Sequence, residues 1–409
     1  MDPVTAPAAD PPSVDAVLTA GAAAFGAEPC RRRLPGERTH NGRTEVAGVD
    51  VVLKVHPAQD RPDIELETAA LLHLQADPAV AALVPAPVVS PRTGELVVHV
   101  APDDEAGSVT GSVSGWVAGA GAVVRAVTWT PGRPWSQVSP DSGPPNVSTG
   151  PGLLGEPTGT GLLGELGALV ARVDAGLADL SHPRERTLRW NLATASANLD
   201  LVARIADPGT AAQVHGILEQ ARDVVEPALR LLPQQLIHND ANEANLVIGD
   251  DDRLHLIDFG DLCVAPRICG LAVAATYRMA DAALRGRPLW PVLRPIVLGY
   301  HSQAPLTASE LALLPQLVRI RAAVSVAMSA WQYSQDPGNE YLLVSRQSSS
   351  ESAATGSACS SASIARRLTT RYSLPGSWEY CQADIATLTA ARVRTSCGSR
   401  ASSDAVRGA

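Results

Sequence analysis

The chain is almost without lysine. Of its 33 lysine and arginine residues one is lysine, Lys54, leaving 32 arginines. Positive charge is written here as arginine, so the exception marks a place where a guanidinium does not substitute. Lys54 lies in Val-Asp-Val-Val-Leu-Lys-Val (49–55), an alternating, β-branched run that reads as a strand. A compact ammonium on a strand fits between two phosphates, whereas the planar guanidinium fork is broader. The competing reading is a lysine snorkelling from a strand edge. Cysteine is sparse as well. Cys30, Cys263, Cys269, Cys359, Cys381 and Cys397 form no Cys-x-x-Cys pair and no zinc-like spacing with histidine. Free thiols in a reducing compartment are expected. No basic run offers a phosphate footprint, and the net charge of −9 argues against nucleic acid as a partner. The N-terminus carries Asp2, Asp10 and Asp15 and no early positive region, unlike a secretory signal. No apolar stretch approaches eighteen residues, so no membrane partner is expected and the localisation expected is cytoplasmic.

What is present is concentrated in residues 236–261, L-I-H-N-D-A-N-E-A-N-L-V-I-G-D-D-D-R-L-H-L-I-D-F-G-D. His238, Asp240 and Asn245 form His-x-Asp-x-x-x-x-Asn, and Asp258 follows at the end of an apolar run. Phosphoryl transfer needs a carboxylate to orient the acceptor hydroxyl. It also needs an amide oxygen and a second carboxylate to hold magnesium against nucleotide phosphates. Asp240, Asn245 and Asp258 fit those jobs in that order. Either aspartate alone reads as an ordinary turn carboxylate, and Asn245 alone as a turn residue; the joint spacing promotes them.

At 409 residues the chain allows two to three domains. Residues 1–30 read as a disordered or short helical segment, with an Ala-rich helix over 15–26. Short strands follow from Glu37 to Val55, with Gly42 and Gly48 as turn signals. Residues 64–74 have helical apolar spacing, and 95–100 and 122–129 read as strands. Residues 139–160 are rich in Pro, Gly, Ser and Thr. Helical faces then dominate: Leu162, Leu166, Leu169, Val170, Val173 and Leu177 on one, with further helices over 211–229, 270–283 and 316–333. Strands first and helices afterwards are an α+β pattern rather than alternating β-α units. The boundaries expected are 31–132 for a small β-rich N-lobe and 133–346 for a larger helical C-lobe. Residues 347–409 read as a low-complexity tail, disordered or out of frame.

With a lysine strand, an acidic helix, His-x-Asp-x-x-x-x-Asn and Ile-Asp-Phe-Gly-Asp in this order, residues 30–346 resemble the aminoglycoside phosphotransferase and choline kinase superfamily. Within it, L-I-H-N-D-A-N-E-A-N, I-D-F-G-D and D-P-G-N-E-Y-L-L-V-S (336–345) are similar to hydroxylysine kinases. They are also similar to the kinase domain fused to class III aminotransferases. The resemblance implies a protein-kinase-like two-lobed fold, with Mg2+ as cofactor and ATP or GTP as phosphoryl donor to a small-molecule hydroxyl acceptor. A fusion with an aminotransferase is a further arrangement that it implies. Asp240 becomes the catalytic carboxylate, and Asn245 and Asp258 the metal ligands. Lys54 contacts the phosphates and is held by a helix glutamate, Glu65 being chosen over Glu67. Trp129, Thr130 and Gly132 form the hinge beside the purine, and His238 supports the catalytic loop. Asp261 is read as a contact to a substrate amine or as a helix N-cap. Glu243 is read as a loop charge or as part of a cation-binding rim.

Two departures stand out. Gly270 in Ile-Cys-Gly-Leu-Ala sits where closer relatives carry an acidic residue, and the turn in E-R-T-H-N-G (37–42) differs from the usual nucleotide-covering loop. The acceptor expected is an amine-bearing metabolite like hydroxylysine. An aminoglycoside, homoserine or choline-type phosphotransferase, or a nucleotide-binding protein without turnover, stays open.

Overall fold

The computed structural model describes residues 14–34, 36, 39–100, 121–137, 161–184, 186–284 and 286–335. The expectations for 1–13, for 139–160, for the motif at 336–345 and for the tail at 347–409 lie outside these residues. In chain order the elements are α1 (Val14–Phe25), β1 (Arg32–Leu34), β2 (His40–Val46), β3 (Val49–Pro57), α2 (Arg61–Gln75), α3 (Pro78–Ala81), β4 (Pro87–Val88), β5 (Val97–Val100), β6 (Ala122–Thr128) and β7 (Gly132–Pro134). They continue with α4 (Gly161–Leu177), a 3-10 stretch (Leu192–Arg204), α5 (Pro208–Gln220), α6 (Glu226–Leu229), β8 (Gln235–Ile237), β9 (Leu246–Gly249), β10 (Leu254–Leu256) and β11 (Cys263–Ala265). Three long helices follow: α7 (Arg267–Leu284), α8 (Trp290–Gln303) and α9 (Ala308–Gln335). The chain divides into two compact units, one of residues 1–138, 176–186 and 244–262, the other of 139–175, 187–243 and 263–409.

The first unit is built on an antiparallel sheet in the order β1-β2-β3-β6-β4, with β5 also pairing β6. Strand alternation explains its core. Along β3, Val51, Leu53 and Val55 point to one face and meet Val17, Leu18, Ala22 and Phe25 of α1. The helix at the start of the chain is thus part of this core and not a segment outside it. The opposite face of β3 presents Lys54 and His56. Gly48, with φ of 82°, makes the β2–β3 turn as expected. Gly42 does not turn. It lies inside β2, paired with Leu53, where a Cβ would come within 2.5 Å of the Cys30 sulfur. A second sheet, β10-β9-β7, completes the unit.

The second unit is helical, with a two-stranded β8–β11 ribbon. The face read from the sequence of α4 is buried, from Leu162 through Val173, and so are Leu271 of α7, Ile296 of α8 and Leu317 of α9. Helix α9 is by length and composition apolar enough to cross a membrane, although Arg319 and Arg321 interrupt its apolar run. Some 72% of its most apolar part is buried inside the protein, the pattern of a core helix.

Asp174 of α4 is buried to 1% exposure. Tyr300 of α8 donates a hydrogen bond of 2.8 Å to its Oδ2, while its Oδ1 has no hydrogen-bond partner. Burial pushes this carboxyl up from 3.8 to about 7, against the opposing pull of Tyr300 and Arg267. The folded-state value lies above the unfolded one. The folded protein therefore holds this proton more tightly, a contribution complete below the unfolded value and lost as pH rises through about 7. Asp174→Asn carries no charge at any pH, so it should gain on the wild type by roughly several degrees in Tm at about pH 8 and by little at about pH 5. Thermal unfolding at both pH values checks this. Parallel curves would remove Asp174 as the source of the alkaline loss.

Candidate active site

In the first unit, the hairpin of β9 and β10 sets the spacing of the expected metal ligands. Its register pairs Leu246 with Leu256, and the Ile257 amide continues the ladder by donating to the Asn245 carbonyl at 2.9 Å. Asn245 and Asp258 therefore emerge at the same end of the hairpin. Asp258 has φ of 61°, a conformation that turns its carboxylate out of the strand direction. Lys54 Nζ lies 3.0 Å from Asp258 Oδ1, with the lysine side chain 12% exposed. A Cβ at Gly260 would come within 3.4 Å of Asp258 Oδ1 and 3.8 Å of Glu67 Oε1, so the glycine after Asp-Phe borders both carboxylates.

The lysine partner chosen from the sequence, Glu65, is a correction. Glu65 pairs with Arg61 one turn earlier on the exposed side of α2, at 2.7 Å. Glu67 is the buried one, on the stripe with Ile64, Ala70, Leu71 and Leu74. Its nearest cation is Arg125 of β6, whose guanidinium donates to Glu67 Oε2. Arg125 is directly opposite Lys54 in the β3–β6 register, so both cations project from one face of the sheet. Burial raises the Glu67 carboxyl, while Arg125 and Lys54 pull it back toward ionisation. His56, on the same face, is driven well below its ordinary value by burial and by Arg125 and Lys54, which favours the neutral imidazole. The sequence reading weighed Glu67 and passed it over for Glu65, and it missed Arg125. The signal was available: Glu67 lies three residues after Ile64 on the apolar stripe, and Arg125 is a lone charge inside an apolar strand.

The expected hinge also lies in this unit. Trp129 donates its backbone N–H to the Asp50 carbonyl at 2.9 Å, and Arg43 stacks over its indole at 4.2 Å. Thr130 follows in the β6–β7 connection. Gly132 opens β7 opposite Gly249, where a Cβ would come within 2.3 Å of the Ile248 carbonyl oxygen. Close strand approach requires glycine there. Asp261 is half-buried in the turn before β11, six residues ahead of α7, so it is not that helix's N-cap.

In the second unit, β8 delivers His238, Asn239 and Asp240. His238 is buried, and its Nδ1 accepts the Asp240 amide N–H at 3.2 Å. Asn239 has φ of 64°, which bends the chain directly before the carboxylate. Asp240 Oδ2 accepts from Asn242 Nδ2 at 3.0 Å, and Oδ1 from Arg321 of α9 at 3.3 Å. Arg321 was not found from the sequence, although an arginine followed by Ala-Ala-Val-Ser-Val-Ala in a long apolar helix is a signal of a buried ion. Glu243 accepts from Arg278 of α7 at 2.9 Å. Its charge is thus met by Arg278 of the same unit. Gly270 stands on α7 where a Cβ would lie 3.4 Å from both Asp174 oxygens, so a carboxylate borders this place although residue 270 has no side chain.

The donors in the first unit suit a hard cation. Asn245 supplies an amide oxygen and Asp258 a carboxylate, and the Lys54 ammonium already sits on that carboxylate. Among the described residues no group of three or more His, Cys, Asp or Glu side chains could hold a metal. Two oxygen ligands fit an ion such as magnesium, which completes its shell with water and phosphate oxygens.

Residues 38–296 match the phosphotransferase enzyme family, APH. Over 250 residues the chain is 25% identical to hydroxylysine kinase of Mus musculus, an alignment covering 54% of this chain and 57% of that protein. The chain thus spans somewhat over half the length of this curated relative. Among solved structures, amicoumacin kinase hAmiN in complex with AMP-PNP, Ca2+ and Ami superimposes with a TM-score of 0.56 at 15% identity, over 83% of this chain and 87% of that one. That likeness shows the fold, an antiparallel sheet with a separate helical part. With the family match spanning more than half of its residues, the chain belongs to the APH phosphotransferase enzyme family.

Proposed function

We propose that the protein is a kinase that transfers the γ-phosphate of a nucleoside triphosphate to the hydroxyl of a small, amine-bearing metabolite. The observation that carries this reading is the hairpin end where Asn245 and Asp258 emerge together, with Lys54 3.0 Å from Asp258. The amide oxygen and carboxylate would hold magnesium, which when bound neutralises the β- and γ-phosphates. Lys54 moves from Asp258 to the phosphates as the nucleotide enters. Asp240 accepts a hydrogen bond from the acceptor hydroxyl and aims its oxygen at the γ-phosphorus. The new oxygen–phosphorus bond forms as the bond to the bridging oxygen breaks, and its electron pair leaves on the nucleoside diphosphate. The hydroxyl proton passes to Asp240 late, in keeping with a loose transition state. Catalysis is positioning and charge neutralisation in this scheme.

Removing the carboxylate at the hairpin should abolish turnover. For Asp258→Ala we expect a loss of about a hundredfold or more in kcat, and for Asp240→Asn a similar loss with nucleotide binding nearly unchanged. Steady-state kinetics beside nucleotide titration checks both. Near wild-type turnover in both variants would overturn the site assignment.

Lys54→Arg keeps the charge and loses the shape. It should cost about tenfold or more in kcat/KM, ~1.4 kcal/mol or above. An unaffected enzyme would make Lys54 a strand-edge charge only.

For the acceptor, similarity to hydroxylysine kinase puts 5-hydroxylysine first. The protein's net negative charge favours cationic acceptors generally. A screen of 5-hydroxylysine, homoserine, choline, ethanolamine and kanamycin, with ATP and GTP tested separately, reads acceptor-dependent release of nucleoside diphosphate. Hydroxylysine is expected to lead. Kanamycin leading would place the protein with the antibiotic kinases. Nucleotide binding with no turnover across the panel would count against catalysis.

A further inference from the structure

We propose that Arg321 is the positioning residue for Asp240, fixing the carboxylate as an orienting hydrogen-bond acceptor for the substrate hydroxyl. The proposal rests on the reading of Asp240 as the residue that faces the acceptor.

Arg321 comes from α9, 81 residues after Asp240, and is buried to 1% exposure. Its Nη1 donates to the Trp190 carbonyl at 3.0 Å, and its Nη2 donates to the Tyr277 hydroxyl at 3.0 Å and to Asp240 Oδ1 at 3.3 Å. The guanidinium plane is flanked by the Trp190 ring at 4.6 Å and the Tyr277 ring at 5.6 Å. Two aromatic faces and three oxygens therefore define both the position and the tilt of the fork. Lysine could supply the charge but not this plane.

The consequence falls on Asp240. Its Oδ1 is held by Arg321 and its Oδ2 by Asn242, so each oxygen has its own donor. Rotation of the carboxylate is thereby opposed from both oxygens. A carboxylate offers about four acceptor sites, so being held in this way is compatible with receiving a hydroxyl. A carboxylate held at both oxygens is suited to aim the hydroxyl, which is what a loose phosphoryl transition state asks. The network is more than a fold contact, because its end point is the reacting group's own partner rather than another helix.

The test uses the full chain with Arg321→Met, Arg321→Lys, Asp240→Asn and the Arg321→Met/Asp240→Asn double variant. The first measurement needs no acceptor: thermal unfolding of the four proteins. Tm losses that fail to add, with the double variant losing less than the two single losses together, support the direct link. Strict additivity overturns it, whatever the substrate proves to be. The second is turnover with 5-hydroxylysine, or with whichever acceptor in the panel is phosphorylated. Arg321→Met should lower kcat about tenfold or more while the acceptor KM and nucleotide binding stay within about twofold. Arg321→Lys should recover part of the loss. Wild-type kcat in the folded Met variant overturns the proposal, as does a loss confined to KM. If the Met variant does not fold, the Lys variant decides by the same split of kcat against KM. If the wild type turns over no acceptor, the functional reading fails, and the additivity measurement still decides the Arg321–Asp240 link.

Discussion

An ion moved out of water must find an opposite charge or a set of hydrogen bonds, because the desolvation cost of an isolated buried charge exceeds what a fold can absorb. This constraint organises both units. In the first, Glu67 on α2 can be buried because Arg125 reaches it from β6. In the second, Arg321 can be buried because Asp240, the Trp190 carbonyl and the Tyr277 hydroxyl converge on it. Asp174 shows the alternative solution. With Tyr300 as its hydrogen-bond donor and one oxygen without a partner, its carboxyl moves up toward neutrality rather than remaining an ordinary anion.

The pairing of Glu67 with Arg125 has a consequence for Lys54. Because the helix glutamate is met by an arginine, the lysine is paired instead with Asp258, the carboxylate proposed to hold the metal. An ammonium on that carboxylate satisfies it before nucleotide and cation arrive, and it can be exchanged without leaving Glu67 as a bare buried charge. In a chain that otherwise uses only arginine, the compact, strongly hydrated ammonium stands at the place where we propose that a cation changes partners.

Much of this was legible in the residues. The period-2 pattern of β3 and the 3.6-residue pattern of α4 place their buried faces because a side chain's direction follows from backbone geometry alone. The choice between Glu65 and Glu67 was legible too, had the stripe from Ile64 to Leu74 been followed through the charged positions rather than around them. Gly42 was not. A glycine inside an alternating run reads as a turn, and only the sulfur of Cys30 against its α-carbon gives the other reason for it. The linear division into an N-lobe and a C-lobe likewise does not foresee that residues 244–262 join the first unit, since the contacts that place them there come from far along the chain.

By itself the sequence determined the order of the candidate groups: a lone lysine on a strand, a carboxylate two residues after a histidine, an amide five further on, and a carboxylate thirteen beyond that, at the end of an apolar run. Those spacings are local, and local geometry is set by the backbone. The tertiary structure alone decided which charge meets which. Arg125 stands opposite Lys54 because of strand register, and Arg321 reaches Asp240 from 81 residues away. Asp174 borders Gly270 because two helices pass each other there. Partners so distant in sequence are chosen by packing, where the cost of burying an unpaired ion selects the arrangement that pairs it.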